Sequence, residues 1–131
     1  MTIEFKAVQI NNPQINKKQE AKFYPRIYNT QKIDLEKMCT DICRSTSLNA
    51  LTIKHVLVAM EYQIADYMQN GNSVNLPGIG TIYPSISGNP SETIEEVNAD
   101  DIKKVNINFR PSKKLKKAVR LVKFKKVSQT F

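Results

Sequence analysis

An α+β domain is what this chain of 131 residues predicts, and three observations predict it. Apolar residues recur with a period of two near both ends and again beyond residue 73, the spacing of half-buried strands. Between residues 34 and 70 that period lengthens to the period of a helix. Two glycines one residue apart, Gly78 and Gly80, lie between β-prone runs and mark a tight hairpin connection.

Taken in order, Ile3, Phe5 and Ala7 alternate with Glu4, Lys6 and Val8, which predicts a first strand. Asn11 to Glu20 is rich in Asn, Gln and Lys and reads as a loop. Phe23, Pro25 and Ile27 then alternate with Tyr24, Arg26 and Tyr28; Pro25 cannot donate to a ladder, so this strand belongs at an edge or a bulge.

Leu35, Met38, Cys39 and Ile42 form a helical stripe that Asp34 can cap, ending near Ser45. Asn49 can cap a longer helix running to about Asn70, where Gly71 suits a left-handed C-cap. Leu51, Ile53, Val56, Leu57, Met60, Ile64, Tyr67 and Met68 make this second helix apolar over more than one stripe. It needs more than one neighbour, and in so short a chain the missing neighbour points to a second copy, an obligate dimer. After the hairpin come a strand whose apolar residues are Val105, Ile107 and Phe109, with Asn106, Asn108 and Arg110 facing the other way, and a short basic helix from Lys113. Val122 to Val127 alternates well enough for a last strand.

Charge is distributed unevenly. Eleven of the twenty Lys and Arg residues lie between Asp101 and Phe131, with Asp101 the one acid there, while residues 1 to 100 hold nine basic and eleven acidic residues. The basic character therefore belongs to a surface, and the natural partner of such a surface is a polyanion. Phe109-Arg110-Pro111-Ser112-Lys113-Lys114 places a helix start beside ammonium groups, an arrangement suited to phosphate.

Other function classes fare poorly. No apolar run of about eighteen residues exists and the opening residues lack the pattern of a signal peptide, so the expectation is a cytoplasmic protein without a membrane partner. Cys39 and Cys43 have no companion cluster and read as buried thiols, not as metal ligands or a disulfide framework. His55, the one histidine, lacks an orienting partner, and Gly78-Ile79-Gly80 lacks the lysine and further glycine of a nucleotide loop. No enzyme, no cofactor, no metal and no small-molecule substrate are expected.

Two helices, the Gly78-Ile79-Gly80-Thr81-Ile82 turn, an arm-length insert and the Phe109-Arg110-Pro111-Ser112-Lys113-Lys114-Leu115-Lys116 motif, in that order, make residues from about Ile33 to Leu121 resemble the bacterial HU and integration host factor family of histone-like, nucleoid-associated proteins. The resemblance implies an intertwined dimer, a homodimer or a close heterodimer, whose β-arms embrace the minor groove of double-stranded DNA and bend it. It places Arg110, Ser112, Lys113 and Lys114 at the phosphate grip, Lys116, Lys117 and Arg120 further along, Gly78 in the turn that nears the DNA, and Lys103 and Lys104 on the returning arm. Asn89-Pro90 stands where the family carries an intercalating proline, but Gly88 replaces the usual preceding arginine, and the arm bears Glu92, Glu95, Glu96, Asp100 and Asp101. Asn-Pro is also a common turn pair, so wedge and surface turn both stand as readings of Pro90.

The organisation expected is a β extension over 1–32, an HU-like DNA-binding domain over 33–121 and a strand and tail over 122–131, in one structural domain, as in extended HU-like variants with added terminal strands. The outer segments would pair with one another or extend the family sheet. The expected function is architectural DNA binding in the bacterial nucleoid, through phosphates and groove shape with little sequence specificity. The alternative is an HU-fold interaction module that has lost DNA binding and uses its acidic arm on a basic partner.

Overall fold

In the computed structural model, residues 1–10, 22–28 and 31–127 are described. The loop expected from Asn11 to Glu20 lies outside them, as does the end of the tail. The chain forms two compact units, Met1–Lys32 with Ala118–Phe131, and Ile33–Lys117.

The first unit is a three-stranded sheet of order β2-β1-β6, with β1 at Thr2–Ile10, β2 at Lys22–Ile27 and β6, the last strand of the chain, at Lys123–Lys126. Pairing of β1 with β2 is antiparallel, Ala7 facing Pro25, and pairing of β1 with β6 is parallel, Ile3 facing Phe124. Pro25 thus sits on an edge strand, where a missing N–H is tolerated. The outer segments pair with one another, the first of the two arrangements expected.

In the second unit, α1 spans Leu35–Thr46 and α2 spans Ala50–Gln69. Asp34 accepts a hydrogen bond from the Lys37 amide at 2.8 Å and Asn49 one from the Leu51 amide at 2.8 Å, so both N-caps are the residues the sequence indicated. Gly71 takes φ 75° just past α2, the conformation that glycine adopts at least cost. Ser47, at φ 61°, ends α1 with its N–H donating to the Cys43 carbonyl. Cys39 of α1 and Ile53 of α2 are the buried apolar side chains among the described residues, and Lys54 pairs with Glu36 across the two helices. Much of α2 remains uncovered: Leu51 and Val56 are each 61% exposed and Tyr62 is 77% exposed.

The rest of the unit is a β-ribbon on a short base: β3 at Val74–Leu76, β4 at Gly80–Gly88 and β5 at Ile102–Pro111, all antiparallel, followed by the start of α3, a helix at Lys113–Arg120 whose last residues, from Ala118, belong to the first unit. With ten residues in β5, the ribbon extends roughly 30 Å from base to tip. Two single-turn 3-10 helices, Ile94–Glu96 and Ala99–Asp101, build the tip.

Candidate nucleic-acid interface

The base of the ribbon is a corner built by backbone contacts. The Ile79 amide donates to the Leu76 carbonyl at 2.9 Å and closes the turn, and the Ser112 amide donates to the Ile79 carbonyl at 2.8 Å, tying the start of α3 to that same turn. Gly80 faces Pro111 across the ladder. A Cβ on Gly80 would lie 2.3 Å from the Arg110 carbonyl oxygen and 2.7 Å from the Phe109 ring, so only glycine fits there. At Gly78 a Cβ would meet nothing within 4 Å. The two glycines of the turn therefore differ in kind: Gly80 is fixed by packing inside the chain, and Gly78 leaves the outer side of the turn bare.

From this corner α3 projects its cations. The Ser112 hydroxyl accepts from the Leu115 amide at 3.1 Å and caps the helix. At 100° per residue, Lys113, Lys116, Lys117 and Arg120 fall within about 100° of arc, with Lys114 beside them and Leu115, Ala118 and Val119 on the other side. All five cations are exposed.

Period-two geometry divides the ribbon into two faces. The pairs Thr81–Arg110, Tyr83–Asn108, Ser85–Asn106 and Ser87–Lys104 lie on the polar face; Ile82–Phe109, Pro84–Ile107 and Ile86–Val105 lie on the apolar one. The Arg110 guanidinium stands 5.3 Å from the centroid of the Tyr83 ring, a cation–π geometry that steers its charge. Asn108 Nδ2 donates to Ser85 Oγ at 2.7 Å, and Thr81 Oγ1 donates to Asn75 Oδ1 at 3.2 Å. Sequence reasoning missed Tyr83 and Thr81, whose positions opposite Asn108 and Arg110 are set by the β4–β5 register and not by a local pattern.

Lys103 and Lys104 are separated by an irregularity. Ser87 pairs with Lys104 and Gly88 with Ile102, so Lys103 has no partner across the ladder and sits in a bulge. A Cβ on Gly88 would lie 2.3 Å from the Asp101 carbonyl oxygen. This gives a physical reason for glycine where the family resemblance suggested arginine. Asn89 continues the closure by donating its N–H to that same carbonyl at 2.9 Å.

Pro90 is exposed, immediately beyond the bulge and outside the ladder. The tip after it is folded by its own acids. Asp101 Oδ2 accepts from the Asn98 amide at 3.1 Å and the Ser91 hydroxyl at 3.5 Å, while Asn98 Oδ1 accepts from the Asp100 amide at 2.9 Å, a reciprocal capping box. Ile94 is 88% exposed there. The base of the ribbon and α3 thus bring Gly78, Arg110, Ser112, Lys113 and Lys114 together, whereas Asn89, Pro90, Lys103 and Lys104 lie toward the far end.

His55 is exposed on α2, and among the described residues no three His, Cys, Asp or Glu side chains form a metal-binding group. Cys39 and Cys43 are free thiols, Cys39 buried. No described helix is long and apolar enough to cross a membrane.

Comparison with known proteins gives two positive results. Residues 1–126 match the family model HU-HIG, described as an HU domain fused to a wHTH, Ig or glycine-rich motif. The fold resembles the crystal structure of a protein from Bacteroides vulgatus ATCC 8482, provisionally described as a bacterial DNA-binding protein, with TM-score 0.66 and 17% sequence identity over 98% of this chain. The chain spans 50% of that structure's length. Among curated proteins no sequence matches it.

Proposed function

From the premise that the chain belongs to the HU-HIG family of HU-like proteins, we propose that it is an architectural protein that binds double-stranded DNA as a dimer. The observation that carries this reading is the corner at the ribbon base. There the Ser112-to-Ile79 hydrogen bond holds the cationic stripe of α3 beside the bare Gly78 turn, with Arg110 next to it on the polar face. Phosphates are the targets that geometry suits: several ammonium groups, a guanidinium and a backbone turn without side-chain obstruction.

Gly78, Arg110, Ser112, Lys113 and Lys114 make the primary grip. Lys116, Lys117 and Arg120 extend it along α3, and Lys104 extends it along the ribbon, with Lys103 at the bulge. Asn89 and Pro90, at the entrance to the tip, contact the groove floor. Shape and deformability dominate recognition, since on the polar face Asn108 is already bonded to Ser85 and few forks are offered to base edges. The bland reading of the lysines as a solvated face predicts no such dependence on the corner.

The dimer is supported by what the second unit leaves uncovered. Leu51, Val56, Met60, Tyr62 and Tyr67 are exposed on α2, and Ile86, Val105, Ile107 and Phe109 on the apolar face of the ribbon, and exposed apolar side chains gathered on one face mark an interaction surface. A second copy covers it in this reading. The acidic tip favours the rival reading, a module whose arm engages a basic protein.

Binding to intact duplex, nicked duplex and a four-way junction, by wild type and by a Lys113/Lys114/Lys117→Glu triple variant, separates the two. Salt-sensitive binding that the variant abolishes supports DNA architecture, with tighter binding to nicked or junction DNA expected of a bender. No binding to any of the three at low salt would leave the interaction module.

A further inference from the structure

We infer that the terminal sheet carries a separate binding surface for single-stranded nucleic acid, on the face formed by Lys6, Lys22, Tyr24, Arg26, Tyr28 and Lys125. The inference goes beyond duplex binding by α3 and uses none of its residues.

The register sorts this small sheet into two unlike faces. Ile3, Phe5 and Ala7 of β1 share one face with Pro25, Ile27 and Phe124. The alternate residues make the other: Lys6 opposite Arg26, Val8 opposite Tyr24, Glu4 opposite Lys125, and Lys22 two residues before Tyr24. Tyr28, whose N–H donates to the Glu4 carbonyl at 2.9 Å, continues the row. With Lys123, which pairs with Thr2, this face holds five cations and one acid, Glu4.

Two features of that face point to a ligand. Lys6 and Arg26 occupy directly paired positions, where like charges repel and destabilise the ladder. Among the described residues the ion pairs are Lys37 with Asp41 and Lys54 with Glu36, so no described acid, Glu4 opposite Lys125 included, forms an ion pair with Lys6 or Arg26 to relieve this repulsion. A polyanion would. The second feature is aromatic: Tyr24 is 45% exposed, and Tyr28 lies with the Lys6 ammonium 6.0 Å from its ring centroid. Tyr24 in β2 and Tyr28, the residue just beyond it, flank Arg26, about 13 Å apart at strand spacing.

Charge alone would suit any phosphodiester backbone. An exposed Tyr24 ring and a half-buried Tyr28 ring on a basic sheet face suit one whose bases are free to stack, and a paired duplex hides its base faces. The site is therefore assigned to a single strand, with cations tracking the backbone and Tyr24 and Tyr28 as stacking platforms.

The test uses the full chain, titrated with a labelled oligothymidylate of about twenty nucleotides and with a duplex of equal length. Tyr24→Ala and Arg26→Glu should each weaken single-strand binding about tenfold and change duplex binding little, while Tyr24→Phe, which keeps the ring, should retain single-strand affinity. Ultraviolet crosslinking of a 5-iodouracil strand to wild type should label the Lys22–Tyr28 peptide, a readout independent of any variant's folding. Unchanged single-strand affinity in both Tyr24→Ala and Arg26→Glu, or crosslinks confined to α3, would overturn the assignment. Equal losses on strand and duplex would overturn the commitment to single strands. The Lys113/Lys114/Lys117→Glu variant serves as the control: its loss of duplex binding with single-strand binding kept is the expected result, and failure of wild type to bind duplex would count against the α3 reading alone.

Discussion

The two ends of the β-ribbon are built by the same backbone device and carry opposite charge. At the base, Gly80 lets β4 approach the Arg110 carbonyl, and the next element presents Lys113, Lys114, Lys116 and Lys117. At the tip, Gly88 lets β4 approach the Asp101 carbonyl, and the residues beyond it include Glu92, Glu95, Glu96 and Asp100. Close backbone approach is thus a matter of chain geometry at both ends, and what each end can bind is decided by the side chains hung on it. About 30 Å of regular ribbon keeps the two charge fields several Debye lengths apart at physiological salt, so each can be altered without disturbing the other.

The largest expected effect breaks the base. Reversing Lys113, Lys114 and Lys117 to Glu should lower duplex affinity by roughly a hundredfold or more and reduce the salt slope by about five, since each of the two protomers loses up to three phosphate contacts; fluorescence anisotropy over a salt series reads both. Next comes the turn itself. Gly80→Val should destabilise the second unit by about 1–3 kcal/mol through overpacking against Arg110 and Phe109, measured by urea denaturation. Gly78→Ala, in open space, should stay within about 0.5 kcal/mol of wild type yet weaken DNA binding, which separates a folding glycine from a contact glycine.

How far these features were legible in the sequence differs between them. Helix starts were readable because Asp34 and Asn49 act locally, each capping an amide two or three residues away. Pro25 narrowed β2 to an edge strand or a bulge, and the sheet order places it at an edge. The parallel pairing of β1 with β6 was not readable in direction or order, because it joins chain ends more than a hundred residues apart and no local pattern encodes it. Within the candidate interface, period two placed Asn106, Asn108 and Arg110 on one face, as found. Gly88 looked like a departure from a family motif. Its reason, contact with Asp101 across a bulge, needed coordinates, and so did the separation of Lys103 from Lys104. The capping box at the tip did have a local signal, Asn98 followed three residues later by Asp101.

Smaller effects sharpen the comparison from the tip. Gly88→Ala should distort the closure at Asp101 and speed hydrogen exchange of the Asn89 amide, with duplex binding through α3 nearly unchanged. Neutralising Glu92, Glu95 and Glu96 to Gln should raise duplex affinity only a few-fold, an effect that shrinks as salt screens the exposed carboxylates. A larger gain would mean that the acids themselves, beyond Asn89 and Pro90, lie close to the phosphates; a loss would mean that the acids contact the partner.

The central claim, that the cationic corner at the ribbon base grips duplex phosphates, is tested most directly by the dependence of duplex affinity on salt. For six to ten phosphates neutralised, the logarithm of affinity should fall linearly against the logarithm of salt with a slope between about −5 and −9, a loss of about three to five orders of magnitude from 50 to 200 mM. Absence of duplex binding at the low-salt end, or a slope that the Lys113/Lys114/Lys117→Glu variant leaves unchanged, would contradict it.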